Sequence, residues 1–316
     1  MSGCVRGAVP ALLLFLVLGA CRSQRRVAVD FSRKEPVPAV AASDIATLRL
    51  AVGAMVGPRE TYESYASLME YLARRAGRRA DLVQRRTYEE TNRLLLDGEI
   101  DVAFICTGAY VAIRDRVRLL AAPVVAGSPS YASVFVARRG GPGTLEALRD
   151  TRFAFTDPLS NSGRLYPIYL LRRRFAAAPR EFFAGVVYSG GHDESIRLVL
   201  DGAVEAAAVD SLVWDGFAGR HPEQAGELAV IHRSPPFGSP PFVARADLDL
   251  AVVESVRSAL LGMAGDVEGG RILAGLRVER FVAGADYAFA IEVAGVALAE
   301  DAPPSFSDGG ARAEAP

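Results

Sequence analysis

Three helix starts in this chain carry residues suited to holding an anion. The stretch "DPLSNSGRLYP" (Asp157 to Pro167) joins a short apolar run to a helical pattern through Ser160, Asn161, Ser162 and Gly163. Hydroxyls, a side-chain amide and the unbonded backbone amides of a first helical turn together make an anion site, aided by the helix dipole. Pro167 falls near the first turn, where a missing N–H does little harm. Ser and Asn also cap helices where no ligand binds, and for a single loop that is the commoner use. Two further starts shift the balance: "SGGHDES", with Ser189, two glycines and His192, and "CTGAY", with Thr107, Gly108 and Tyr110. His192 stands beside glycines that let a ligand approach, and is read as a donor to an oxyanion.

Other chemistries are excluded by composition. The one lysine is Lys34, so there is no Walker lysine and no Ser-x-x-Lys nucleophile pair. The histidines His192, His221 and His232 are not spaced as a metal pair, and no Gly-x-Ser-x-Gly elbow occurs. No metal, cofactor or catalytic residue is expected. With 36 basic and 37 acidic residues and a net charge of −1, no global field points to nucleic acid. Cys106 has no histidine near it in sequence and is read as a pocket wall. A secreted enzyme acting on a phosphorylated metabolite would need a general base opposite the anion site, and none stands out.

The elements that must position these loops repeat. "RLLLDGEIDVAF" (Arg93 to Phe104) is followed later by "RLVLDGAVEAAA" (Arg197 to Ala208), and "YEETN" upstream of the first lies opposite "HDESI" upstream of the second. Each copy reads as a helix, an Asp-Gly turn and a strand. Around the first, "TLRLAVGAM", "ADLVQRR" and "IDVAFI" predict strands, with helices over "TYESYASLMEYLARRAG" and "TYEETNRLLLDG", the second capped by Thr87. Around the second, "TRFAFT", "GVVYSG" and "VEAAAVD" predict strands, with helices over "SGRLYPIYLLRRRF" and "HDESIRLVLDG". The alternation predicts two similar α/β lobes with largely parallel sheets and a cleft between them, where loops at the C-terminal strand ends gather on a ligand. Gly- and Pro-rich "ARRGGPG" and "RSPPFGSPP" are the expected crossings. They divide the body into lobe 1 (46–138 plus 242–298) and an inserted lobe 2 (141–233).

The N-terminal run "AVPALLLFLVLGA" is too short to span a bilayer and right for a signal h-region. It ends in Leu18-Gly19-Ala20-Cys21, which resembles a bacterial lipobox: residues 1–20 would be the signal peptide and Cys21 the lipidated mature terminus. Residues 21–45 read as a tether and 299–316 as a disordered tail. With Cys4 removed and Cys21 acylated, Cys106 has no partner, so no disulfide framework is expected.

The stretches "SYASLMEYLARRAGRRADL", "DGEIDVAFICTGAYV", "FAFTDPLSNSGRLYPIYLL", "VVYSGGHDESIRLVLDGAVEAAAVDS" and "SPPFGSPPFVAR" resemble, in order, the phosphate/phosphite/phosphonate substrate-binding proteins of ABC transporters. The resemblance covers most of Leu48 to about Arg245. It implies a two-lobed type II periplasmic binding protein fold that closes on a phosphorus oxyanion and delivers it to a membrane permease driven by an ATPase. It places ligand contacts on Tyr65 and Tyr110 from the first lobe and on Ser160, Asn161, Ser162, His192 and Asp210 from the second. Two departures bear on ligand identity: Asn161 stands where the family has Ser or Thr, and "ICTGAY" changes a wall that usually carries Gly or Ser with Pro. A sensing lipoprotein with the same clamp is the alternative. Tyr62, one turn from Tyr65, competes with it. Arg164 is expected on exposed helix surface and Trp214 in packing. The repeat sets Asp210 opposite Cys106, where it either meets ligand through a protonated oxygen or an ammonium group, or only caps the next helix.

Overall fold

The computed structural model describes residues 45–299 except Val56. The predicted signal peptide, Cys21, nearly all of the tether and nearly all of the C-terminal tail lie outside them.

The chain opens with β1 (Thr47–Val52), α1 (Pro58–Arg75), β2 (Arg79–Val83), α2 (Tyr88–Leu96), β3 (Val102–Phe104), α3 (Thr107–Ile113) and β4 (Val117–Val124). The short β5 (Ser130–Tyr131) leads into β6 (Ser133–Arg138), β7 (Arg152–Phe155), α4 (Tyr166–Phe175), α5 (Pro179–Phe182), β8 (Gly185–Tyr188), α6 (His192–Leu200) and β9 (Ala206–Asp210). Then come α7 (Ser211–Arg220), α8 (Pro222–Gly226), β10 (Leu228–Arg233), β11 (Phe237–Gly238) and β12 (Phe242–Arg245). The described chain closes with α9 (Leu250–Gly262), α10 (Val267–Leu276), β13 (Arg280–Val282) and α11 (Ala288–Leu298).

Two large sheets result, ordered β13-β4-β12-β3-β1-β2 and β10-β6-β9-β7-β8, beside a two-stranded β11-β5 pair. In each, three strands run parallel, β3-β1-β2 in one and β9-β7-β8 in the other. The flanking strands β12 and β4, and β6 and β10, run antiparallel, so the sheets are mixed rather than largely parallel. The parallel part is what the sequence repeat encodes. Helices α2 and α6 hold the same place in the two lobes, and each ends at an Asp-Gly whose glycine, Gly98 or Gly202, takes a positive φ of 72° or 70°. That conformation suits glycine and stops the helix. Thr87 caps α2 through Glu90 N–H, with the Glu90 carboxylate answering Thr87 N–H.

Alternating residues of β1 face opposite layers. Leu48, Leu50 and Val52 pack with Leu68, Met69 and Leu72 of α1 and with α9, while Ala51 packs with Leu94 and Leu95 of α2. In the second lobe Phe153 and Phe155 pack with Leu165, Ile168, Phe182 and Phe183, and Ala154 lies on the face of Ile196, Val199 and Trp214.

The crossings differ from the expected pair. Ser133–Arg138 belongs to the second sheet, paired with β9 and β10, so the chain leaves lobe 1 before β5 rather than at Ala137–Gly143. Helix α11 packs Ala290, Val293 and Ala294 beside Leu165 and Tyr166 of the second lobe, which makes a third crossing after β13. The apolar period of β6 and the small-residue face of α11 do not say which sheet they will cover; partner geometry decides that. The linking segments are tied together: β5 pairs with β11, Ser239 N–H donates to Pro129 O, and the Tyr287 hydroxyl donates to Ser239 O. Among the described residues no helix is long and apolar enough to cross a membrane.

Candidate ligand-binding cleft

The serine loop follows β7. Residues Asn161–Leu165 form a wide π-helical turn before α4, with Pro167 in the first turn of α4. Ser160 caps this turn, its Oγ accepting from Gly163 N–H at 3.0 Å. Gly163 is obligatory, since a Cβ there would lie 2.3 Å from Thr156 Oγ1. The turn draws its residues inward. Arg164, expected on exposed surface, is buried and donates to Pro158 O and the Tyr188 hydroxyl.

Within this turn the donors divide. Asn161 Nδ2 donates to the Tyr131 hydroxyl at 3.0 Å, leaving Oδ1 without a partner. Ser162 is 1% exposed and its Oγ has no protein partner, nor has the hydroxyl of buried Tyr88. Burial, followed by the proximity of Cys106, Asp157 and Asp210, pushes the Tyr88 phenol well above its usual value. The Cys106 sulfur lies in the same cluster. The N–H groups of Asn161 and Gly108 point at it, and burial pushes the thiol up to about 11, so it remains a neutral wall.

His192 opens α6 and is almost fully buried. Burial lowers its pKa to about 3, so the imidazole is neutral. Its Nδ1 accepts from Asp210 N–H at 3.2 Å and lies 3.2 Å from Thr156 Oγ1. The proton of the neutral ring therefore resides on Nε2, as a donor. Asp210 ends β9 and caps α7, its Oδ1 accepting from Leu212 N–H at 2.7 Å, while the residue also lines the cleft. Capping and cleft contact thus coexist. Burial pushes its carboxyl up to about 7, as expected for a carboxylate taken out of water.

Of the residues expected to contact ligand, Ser160, Asn161, Ser162, His192 and Asp210 are buried around these loops. Tyr65 packs on Phe104 and lines the cleft with Asp210. Tyr62 is exposed. Tyr110 is set apart: its ring packs on Tyr287 at 4.8 Å between two apolar clusters, because α3 lies under α11. Tyr88, Tyr131 and Thr156 escaped the sequence reading. Tyr88 stands opposite His192 in the internal repeat, and that was the available signal.

The lobes touch beside the site. His192 N–H donates to Met55 O at 3.0 Å, Gly57 N–H to Asp193 Oδ2 at 3.3 Å and Tyr88 N–H to Asp157 Oδ2 at 3.2 Å. Two helix starts of lobe 1 are thereby answered by carboxylates of lobe 2.

Residues 50–289 match the family described as ABC transporter, phosphonate, periplasmic substrate-binding protein. The chain belongs to this family. It is 34% identical over 107 residues to a probable ABC transporter phosphite-binding protein of Prochlorococcus marinus, covering 33% of this chain and 35% of that protein. It is 25% identical over 209 residues to a phosphate-import protein of Mycolicibacterium smegmatis, covering 62% of this chain and 65% of the relative. The chain therefore matches between about a third and two thirds of these relatives' lengths. A phosphonate-transporter binding protein of Pseudomonas aeruginosa superposes with a TM-score of 0.73 at 20% identity, over 82% of this chain and 87% of that one. A Prochlorococcus marinus protein in complex with methylphosphonate gives 0.71 at 19%, over 81% and 98%. The fold is the two-lobed type II periplasmic binding fold of these family members.

Asp210 and His192 make a testable pair. The folded state raises the Asp210 pKa from 3.8 to about 7, so it holds a proton that the unfolded chain releases. Its contribution to stability is complete below pH 3.8 and is lost as pH rises through about 7. His192 runs the other way: lowered from 6.5 to about 3, it contributes stability above pH 6.5 that is lost as pH falls towards 3. Asp210→Asn keeps a capping oxygen and removes one of the two slopes. Melting curves should show the variant gaining stability relative to wild type as pH rises from about 4 to 7 and holding that gain above it. A constant difference across that range would mean that Asp210 is ionised throughout.

Proposed function

We propose that this chain is the exported substrate-binding component of an ABC importer and takes a phosphorus oxyanion, whether phosphonate, phosphite or phosphate. The observation that carries this is the group of buried polar atoms without protein partners, Ser162 Oγ and the Tyr88 hydroxyl, together with a neutral His192 whose proton lies on Nε2. Buried donors left unmade cost about 1–3 kcal/mol each, and an oxyanion supplies acceptors for several at once. No arginine or lysine is needed: neutral donors hold the charge, and the protonated Asp210 carboxyl adds its own O–H as a donor to the oxyanion. Membership in the phosphonate family, and relatives described as binding phosphite, importing phosphate or holding methylphosphonate, support the same class of ligand.

On this reading the lobes close around the ligand and present it to a permease coupled to an ATPase, while Cys21 anchors the body to a membrane. Fractionation of the wild-type chain and Cys21→Ser tests the anchor, the variant moving to the soluble fraction. The ligand is tested by thermal shift with phosphite, methylphosphonate, phosphate and sulfate. A ligand at a hundred times its Kd stabilises the folded state by about 2.7 kcal/mol. A rise in Tm with at least one phosphorus oxyanion is expected; no rise with any of them at millimolar concentration would sink the assignment.

A further inference from the structure

The space beside Asp210 is larger than a bare oxyanion needs. Between the lobes lies a cavity of about 380 Å³, enough for about a dozen waters and within the range of about 300–1,000 Å³ typical of sites for organic ligands. Val52, Met55 and Phe104 line it from the first lobe and Leu212 and Val213 from the second, with Asp215, Arg220 and Arg277 also on its lining. Asp210 belongs both to this lining and, through its N–H to His192, to the buried donor cluster. Anion donors and an apolar chamber therefore meet at one residue. Phosphite or phosphate would leave that chamber full of water, and its walls would contribute nothing to affinity.

We propose that the cleft accommodates a phosphonate carrying an apolar organic substituent, alkyl or aryl, with the phosphorus head among Ser162, Tyr88 and His192 and the substituent between the apolar walls. This rests on the phosphorus-oxyanion reading above and narrows it. An ammonium-bearing substituent would find Asp210 and Asp215 but would share the chamber with Arg220 and Arg277 and lose hydration against valine, leucine and phenylalanine.

The experiment is calorimetric titration of the full chain with phosphite, methylphosphonate, phenylphosphonate and aminoethylphosphonate. Phenylphosphonate should bind about tenfold or more tighter than methylphosphonate, the discrimination that a few buried carbons provide. Two variants narrow the chamber from opposite walls, Gly216→Leu on α7 and Ser64→Leu on α1. At Gly216 an added Cβ would meet the tip of the Arg220 side chain at 3.4 Å, and leucine favours a helix interior over glycine. In either variant the ratio of phenylphosphonate to methylphosphonate affinity should collapse towards one. Equal or weaker binding of phenylphosphonate in wild type, tightest binding of aminoethylphosphonate, or a ratio unmoved by both variants would each overturn this inference and leave the oxyanion site standing. Failure of every phosphorus compound to bind would overturn the underlying assignment, and this inference with it.

Discussion

Gly108→Ala is expected to lower the Tm by several degrees and to weaken oxyanion binding more than any other single-methyl change in the protein. A Cβ at this position would lie 2.2 Å from Leu159 O and 2.9 Å from Asn161 N. Both are backbone atoms of the serine loop, so no side chain can rotate away. Nor is α3 free to retreat, because Thr107 Oγ1 donates to Gly238 O at 2.8 Å and Ala109 O accepts from Asn92 Nδ2 of α2 at 2.9 Å. Overpacking of this kind costs about 1–3 kcal/mol, which corresponds to several degrees for a chain of this size. Affinity should fall further than stability, since the atom displaced belongs to the loop that carries Asn161 and Ser162. Calorimetric titration and a melting curve on one variant test both. Wild-type values for both would mean that the loop and α3 are not in contact.

Ser162→Ala should separate binding from folding. Its hydroxyl is buried and has no protein partner, so its removal takes no native hydrogen bond away. Stability without ligand should hold or rise, by up to about 1–3 kcal/mol, because the variant no longer buries an unmade donor. A neutral donor to a charged ligand is worth about 1.5–3 kcal/mol, so the Kd should rise by roughly one to two orders of magnitude. Ser160→Ala is the control that reverses the pattern. Its oxygen accepts Gly163 N–H, and losing such a cap costs about 1 kcal/mol of stability. If Ser162→Ala binds like wild type, the oxyanion does not sit in this loop.

Much of this molecule was legible in its sequence. The repeat of Arg-Leu-x-Leu-Asp-Gly foretold two helix-turn-strand units in equivalent places, because a glycine with positive φ after an amphipathic turn ends a helix wherever it occurs. Capping chemistry marked the starts of α2, the serine loop and α7, since Thr87, Ser160 and Asp210 act on amides within three residues of themselves. Local bonds of that kind need no knowledge of the rest of the chain.

What required the tertiary structure was every choice among distant partners. Ser133–Arg138 reads as a strand in isolation, but its sheet was decided by pairing with Ala206–Asp210 and Leu228–Arg233. Tyr110 and Tyr88 are both tyrosines at helix starts. Tyr110 packs against Tyr287 because α11 returns over α3, while the hydroxyl of Tyr88 is left unpartnered near Cys106 and Asp210. Arg164 turned inward because five residues form a π-helical turn, which rotates the following side chains relative to an α-helix. The proton on His192 Nε2 follows from the N–H of Asp210, eighteen residues away. The residue types came with the sequence; their partners, protonation and exposure were decided by which lobes, strands and helices the fold set against them.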